Sequence, residues 1–288
     1  MKVLFVVSRL DWAFHNNATN IARFAPPTWE VQVCTAQEAK GSWNVVVVMY
    51  WPQLQDVLSR VKTNRVIVGF AGYASWDGIS REEILRRIQG AHAAYGISSD
   101  SFQALSRFIT DRPLFLCPNG YPEFFKPQVL PKPFTVGWIG STSRPPSFKG
   151  IDLIEKAAGI AGVPLVMDDA QKRGFHKHEH ALDFYKKISC YICASESEGG
   201  PNPVIESFAT GRAVISTRVG VVPEILTPHV NGLFIERNVE SIVKAIQMIQ
   251  KWNLYARQPH FASAIANRTW QQRSVAWYNM IRWIATSR

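Results

Sequence analysis

The sequence predicts an α/β chain of two doubly wound parallel-sheet domains, and three observations carry that expectation. Short apolar runs alternate with polar, amphipathic stretches along most of the chain, the pattern of strands separated by helices. A length of 288 residues fits two modest cores better than one large one. Prolines at 118, 122, 127, 131 and 133 mark a connector near the middle. The expected layout is a first domain over 1–130, a second over 131–265 and a final helix over 266–288.

In the first half, apolar runs at Val3 to Val7, Val31 to Cys34, Val45 to Tyr50, Val66 to Phe70, Ala93 to Ile97 and Leu114 to Cys117 read as strands. Ser80-Arg81-Glu82-Glu83 has the spacing of a capping box, so a helix should open there and run toward Gln89. Residues 1–40 contain no glycine, so the turn after the first strand cannot be the Gly-x-Gly-x-x-Gly of a dinucleotide site, which argues against an NAD-dependent enzyme. That turn, Ser8 to Asn17, instead carries Asp11, Trp12, His15 and Asn16. In a parallel sheet it lies at the carboxyl end of a strand, where ligands bind. Two readings stand: these side chains meet an acceptor, or Asn16 and Asn17 cap the next helix.

In the second half, Phe134 to Gly140, Leu165 to Met167 and Ile188 to Ala194 read as strands. A helix is expected from about Ile151, another over Ala181 to Ile188, and a third over Val204 to Thr210. Asn238 should cap a fourth running to about Trp252. From Asn267 onward, Trp270, Trp277, Tyr278, Ile281 and Ile284 recur at helical spacing.

The chemistry concentrates in Ser195-Glu196-Ser197-Glu198-Gly199-Gly200-Pro201-Asn202-Pro203-Val204-Ile205-Glu206. A glycine turn between strand and helix can aim backbone N–H groups at a phosphate or sugar oxygen. Glu198 and Glu206 bracket the turn. This stretch, with the following Ser207 to Ile215, resembles the retaining GT-B glycosyltransferases whose signature is Glu-x7-Glu, family 4 in particular. Lys149-Gly150 is similar to the Lys-Gly of that family's donor-diphosphate loop, with Arg144 displaced and Ser141 at the usual arginine position. Thr217 to Glu224 resembles its Gly-Gly-Val-Pro-Glu turn, with Val221 in place of one glycine, and Pro118 to Pro127 resembles the close of its first domain.

The resemblance implies two Rossmann-like domains facing a cleft, with a last helix that returns to the first domain. It implies a nucleotide-sugar donor, UDP- or GDP-linked, and transfer to an acceptor hydroxyl by same-face attack without a metal or other cofactor. Lys149, Arg144 and Glu198 fall in catalytic roles. Glu206, Gly199, Gly200, Asn202 and Ser141 fall on the donor. The family histidine near the sugar is missing from Val66 to Gly78, where Tyr73, Trp76 and Asp77 stand as substitutes. Asp11, Trp12, His15, Asn16 and Trp76 form the acceptor side. Lys and Arg suit a diphosphate, one as a point charge and the other as a fork.

Other signals point elsewhere more weakly. Cys190-x-x-Cys193 lies inside an apolar run with no second pair, which reads as buried strand. His176-Lys177-His178-Glu179-His180 alternates like a metal site, yet fits better as a polar loop near the nucleotide base. No apolar run approaches the ~18 residues of a membrane span and no cleavable signal opens the sequence, so a cytoplasmic protein is expected. The formal charge is +10, and Arg268, Arg273, Arg282 and Arg288 stand in the last stretch with no acid. The resemblance implies a growing glycan or a lipid carrier as acceptor. The charge excess suits an anionic one, a lipid-linked glycan or, as the alternative, DNA with hydroxymethylated bases, and it suits peripheral contact with a membrane or nucleic acid. A nucleotide-sugar or nucleic-acid binding protein without turnover is the alternative from outside enzymology.

Overall fold

The computed structural model describes residues 1–72, 75–142, 146–173 and 178–287. These fall into two compact units, Met1–Gly120 with Trp270–Arg288, and Tyr121–Thr269.

The first unit runs β1 (Lys2–Val7), α1 (Ala13–Arg23), β2 (Glu30–Thr35), β3 (Gly41–Trp43), β4 (Val45–Val48), α2 (Leu54–Leu58), β5 (Val61–Thr63), β6 (Val66–Phe70), α3 (Arg81–Arg87), β7 (Ala93–Gly96), α4 (Ser99–Ser106) and β8 (Leu114–Leu116). Six of these strands form one sheet in the order β2-β1-β4-β6-β7-β8, and every pairing is parallel. The central strands are buried on both faces, which explains their unbroken valine runs. β3 and β5 make a separate parallel pair.

The expected start of α3 forms only half a capping box. Ser80 Oγ accepts from the Glu83 N–H at 3.2 Å. The Glu83 carboxylate, instead of reaching back, takes Arg86 at 2.8 Å and Arg87 at 2.5 Å.

The last helix, Trp270–Thr286, belongs to this unit. Trp270, Trp277, Tyr278, Met280, Ile281 and Ile284 are buried in one cluster with Val3, Phe5, Val45 and Val47. Trp277 sits edge-on to Tyr95 at 4.7 Å. The helical repeat of tryptophans is thus core packing, and of the three only Trp283 is half exposed, at 49%.

The second unit runs β9 (Val136–Gly140), α5 (Pro146–Lys149), α6 (Ile151–Ala161), β10 (Leu165–Asp169), α7 (Ala170–Arg173), α8 (Ala181–Tyr185), β11 (Cys190–Cys193), α9 (Asn202–Ala209), β12 (Ala213–Ser216), α10 (Val222–Ile225), β13 (Gly232–Phe234), α11 (Val239–Gln250) and α12 (Leu254–Ser263). Its sheet is parallel in the order β10-β9-β11-β12-β13. Asn238 caps α11 as expected, accepting from the Ser241 N–H at 2.8 Å. α12 has no counterpart in the sequence reading, because Pro259 lies inside it. A helix tolerates proline poorly outside its first turn.

The units divide after Gly120 and after Thr269, where the sequence reading sets the boundaries at 130 and 265. Residues 121–130 are packed onto the second unit. Phe125 and Leu130 join its core, and the buried Arg212 donates to the carbonyls of Gln128, Val129 and Tyr185, each at 2.8 Å. Burial pulls the Arg212 pKa down to about 10, which still leaves the guanidinium charged at neutral pH.

All four cysteines are buried and unpaired in disulfides. Burial raises each thiol pKa, to about 11 for Cys34. Among the described residues, no helix is long and apolar enough to cross a membrane.

Replacing Arg212 by Ala removes three hydrogen bonds from a charged donor; the Gln128 carbonyl keeps Gln258 Nε2 at 2.9 Å and the Tyr185 carbonyl keeps the Ile188 N–H. The expected loss is on the order of 3 kcal/mol or more, since a hydrogen bond to a charged group contributes about 1.5–3. A shift of the urea midpoint at constant slope measures it.

Candidate active site

The sheet of the second unit reverses direction at β9. The chain leaves β9 for β10 on one side, then returns past β9 to β11 on the other. The loops after β9 and β11 therefore part at the carboxyl end of the sheet, and this is where an open parallel sheet binds ligands. The lysine and glycine-rich motifs fall on these two loops.

Lys149 ends α5, and Gly150 follows with φ +66°. A Cβ at Gly150 would lie 2.5 Å from the Ala194 carbonyl oxygen, so only glycine allows the first loop this close to the end of β11. The loops are also joined by the Glu196 N–H, which donates to the Phe148 carbonyl at 3.0 Å. Across this junction Lys149 Nζ stands 2.5 Å from Glu198 Oε1, with both side chains about one-fifth exposed. Ser195 Oγ donates to the same carboxylate oxygen at 2.7 Å. The structure thus brings Lys149 and Glu198 together, 49 residues apart in sequence.

Gly199 and Gly200 lead into α9, whose first residue is Asn202 and whose N-cap position is Pro201. A tight turn buttresses this loop: a Cβ on Gly220, at φ +50°, would fall 2.2 Å from the Gly199 carbonyl oxygen. Ser141, at the end of β9, accepts from Gln171 Nε2 at 3.2 Å. Asp169, at the end of β10, accepts from the Thr142 N–H and hydroxyl at 3.2 and 2.7 Å and so fixes the start of the β9 loop. Arg144 lies outside the described residues.

Glu206, which the resemblance puts on the donor, is enclosed by protein groups. It is 4% exposed and both its oxygens are engaged. Tyr185 donates its hydroxyl to Oε2 at 2.6 Å, and His178 Nε2 meets Oε1 at 2.6 Å. Phe124 and Phe125 stand edge-on to the imidazole at 5.9 and 5.3 Å. Burial alone would lower the His178 pKa, but the adjoining Glu206 carboxylate outweighs it and the net shift is upward. One histidine of the alternating run is therefore the partner of Glu206. Among the described residues no group of three or more His, Cys, Asp or Glu gathers as a metal site.

A hollow of ≈ 640 Å³ lies nearby along β10, lined in part by Trp138, Thr142, Asp168, Asp169, Lys172 and His180. Lys149, Glu198 and Glu206 do not line it.

In the first unit, Asp11 takes a left-handed backbone at φ 56°, and its N–H donates to His15 Nδ1 at 3.1 Å. Trp12 holds the N-cap position of α1 in extended conformation, with Arg9 over its ring at 5.8 Å. Asn16 and Asn17 lie inside α1, so neither caps it, and Asn17 is buried. Trp76 is not an acceptor contact: it is 2% exposed and packs edge-on to Phe70 at 5.3 Å. Tyr73 falls outside the described residues.

Residues 168–259 match the family model "Glycosyl transferases group 1". Among curated proteins, none matches this sequence. Solved structures do match over nearly the whole chain. HepE of Anabaena in complex with UDP aligns at a TM-score of 0.73 and 14% identity, over 98% of this chain and 100% of that one. Sucrose-phosphate synthase of Thermosynechococcus elongatus aligns at 0.72 and 15%, over 98% of both chains. The lipopolysaccharide outer core galactosyltransferase WaaB aligns at 0.62 and 12%, over 98% and 99%. The fold is that of the GT-B glycosyltransferases.

The His178–Glu206 pair has a measurable signature. Because the folded His178 pKa lies above its ordinary 6.5, the pair's stabilisation is complete below that value and is lost as pH rises through the folded one. The melting temperature of the wild type should therefore fall more steeply than that of His178→Gln as pH rises above 6.5.

Proposed function

We propose that this chain is a retaining glycosyltransferase that moves a sugar from a UDP- or GDP-linked donor to an acceptor hydroxyl. The observation that carries the reading is the Lys149–Glu198 pair at the reversal of strand order. Its acidic member lies in the stretch that matches the group 1 family model. The structural neighbour HepE, crystallised with UDP, supports a uridine nucleotide as the first donor to try.

In this reading the donor diphosphate takes Lys149 from Glu198. The ammonium then neutralises charge on the departing phosphate oxygen, with Arg144 and the Gly199 and Gly200 amides as further donors. Glu198, released from the lysine, accepts hydroxyls of the sugar and orients it. The acceptor hydroxyl attacks on the face that the diphosphate leaves, and a diphosphate oxygen takes its proton. Protein cations carry the charge neutralisation, so the scheme invokes no metal. Glu206 serves the ribose through the buried group it forms with His178 and Tyr185. Asp11, Trp12, His15 and Asn16 are the acceptor side.

The +10 charge favours an anionic acceptor. Of the two anionic classes, a lipid-linked glycan fits better than DNA. Unpaired bases bind through stacking on accessible aromatics, and of the three tryptophans in the last helix Trp270 and Trp277 are in the core, which leaves Trp283 alone half exposed there.

Release of free UDP or GDP from a set of sugar nucleotides, with and without candidate acceptors, tests the assignment. Lys149→Ala should lower turnover by about 10²-fold or more, as loss of a transition-state donor does. Glu206→Ala should mainly weaken nucleotide binding, read as a smaller melting-temperature shift with UDP or GDP. Wild-type turnover in Lys149→Ala would remove the lysine from the mechanism, and failure to release nucleotide from any donor would sink the enzyme.

A further inference from the structure

Arg237 follows β13, three strands away from β9 in the sheet. Its side chain nevertheless reaches back to both active-site loops. Nε donates to the Ala194 carbonyl at 3.0 Å, at the exit of β11. Nη2 donates to the Ser147 carbonyl, two residues before Lys149. These are the loops that also meet at the Glu196–Phe148 hydrogen bond and at the close approach of Gly150 to Ala194. One planar guanidinium therefore spans the two segments that deliver Lys149 and Glu198. A fork of fixed N–H directions can bridge two carbonyls, while an ammonium on a flexible stem gives one point contact.

We propose that Arg237 is a positioning residue that clamps the Lys149 loop against the exit of β11, and so sets where the lysine charge stands relative to Glu198. The proposal rests on the catalytic reading of Lys149. Its structural half, the clamp, is separately testable. Lys149 gains no position from its own helix, because α5 is a single turn and the next residue is a left-handed glycine. Beyond its attachment to α6 through Gly150, its position comes from contacts across the loops. A displacement of about 1 Å can cost ~10²-fold in rate when a charge must meet a departing group.

The experiment uses the full chain with Arg237→Gln and Arg237→Lys. By hydrogen exchange, the Glu196 amide should exchange about 10-fold faster or more in Arg237→Gln, while amides in β11 and β12 keep their protection, since only a local opening is involved. In sugar-nucleotide turnover, Arg237→Gln should lower kcat by about 10-fold or more, and should add little once Lys149 is already Ala, because the two act as one unit. Arg237→Lys should behave like the Gln variant. Unchanged exchange at Glu196 overturns the clamp. So does exchange raised throughout the second unit, which would make Arg237 a general stabiliser. Additive losses with Lys149→Ala, or full rescue by Lys, overturn the positioning role. If the wild type turns over no sugar nucleotide, the enzymatic reading fails, and the exchange comparison still decides whether the clamp exists.

Discussion

The proposed chemistry depends on a cation and a carboxylate held 2.5 Å apart where the order of a parallel sheet reverses. Such a pair is worth little on an open surface, where water screens it and long side chains lose freedom. Partly shielded at the end of a sheet, it keeps two opposite charges ready within one crevice. The surrounding backbone is arranged to allow this. Gly150 gives up its side chain so that the loop can touch β11, and Gly220 does the same behind Gly199. The cost of left-handed backbone is avoided by having no Cβ at either place.

Most of the architecture was legible because buried parallel strands leave an unmistakable record. The runs at Val3, Val45, Val66 and Ile188 could not be solvent-facing, and each became a central strand. Asn238 and Ser80 announced their helices through local side-chain chemistry. Helix α12 was missed because its one proline outweighs its weak amphipathic pattern, although Asn253 accepts from the Ala256 N–H to begin it. Trp76 was misjudged because an aromatic residue after a strand reads alike whether it faces ligand or core. Only its packing on Phe70 distinguishes the two.

At the site, pairings within one loop were visible and pairings across the sheet were not. The Glu198-to-Glu206 stretch is a local pattern, and Lys149-Gly150 is another. That His178 and Tyr185 would occupy Glu206 depends on how the β10-to-β11 connection folds back over α9. No spacing in the sequence encodes that contact. The same holds for Arg237, which lies 90 residues from Ser147. Such partners are found only when strand order brings their loops side by side.

The buried cysteines have a practical consequence. Attack on a maleimide or iodoacetamide requires an accessible thiolate. Every native thiol here is enclosed, and its ionisation is suppressed. A single cysteine engineered at an exposed position such as Ser42 or Lys251 would then be the preferred point of attachment for a fluorophore or spin label, with the wild-type background left intact.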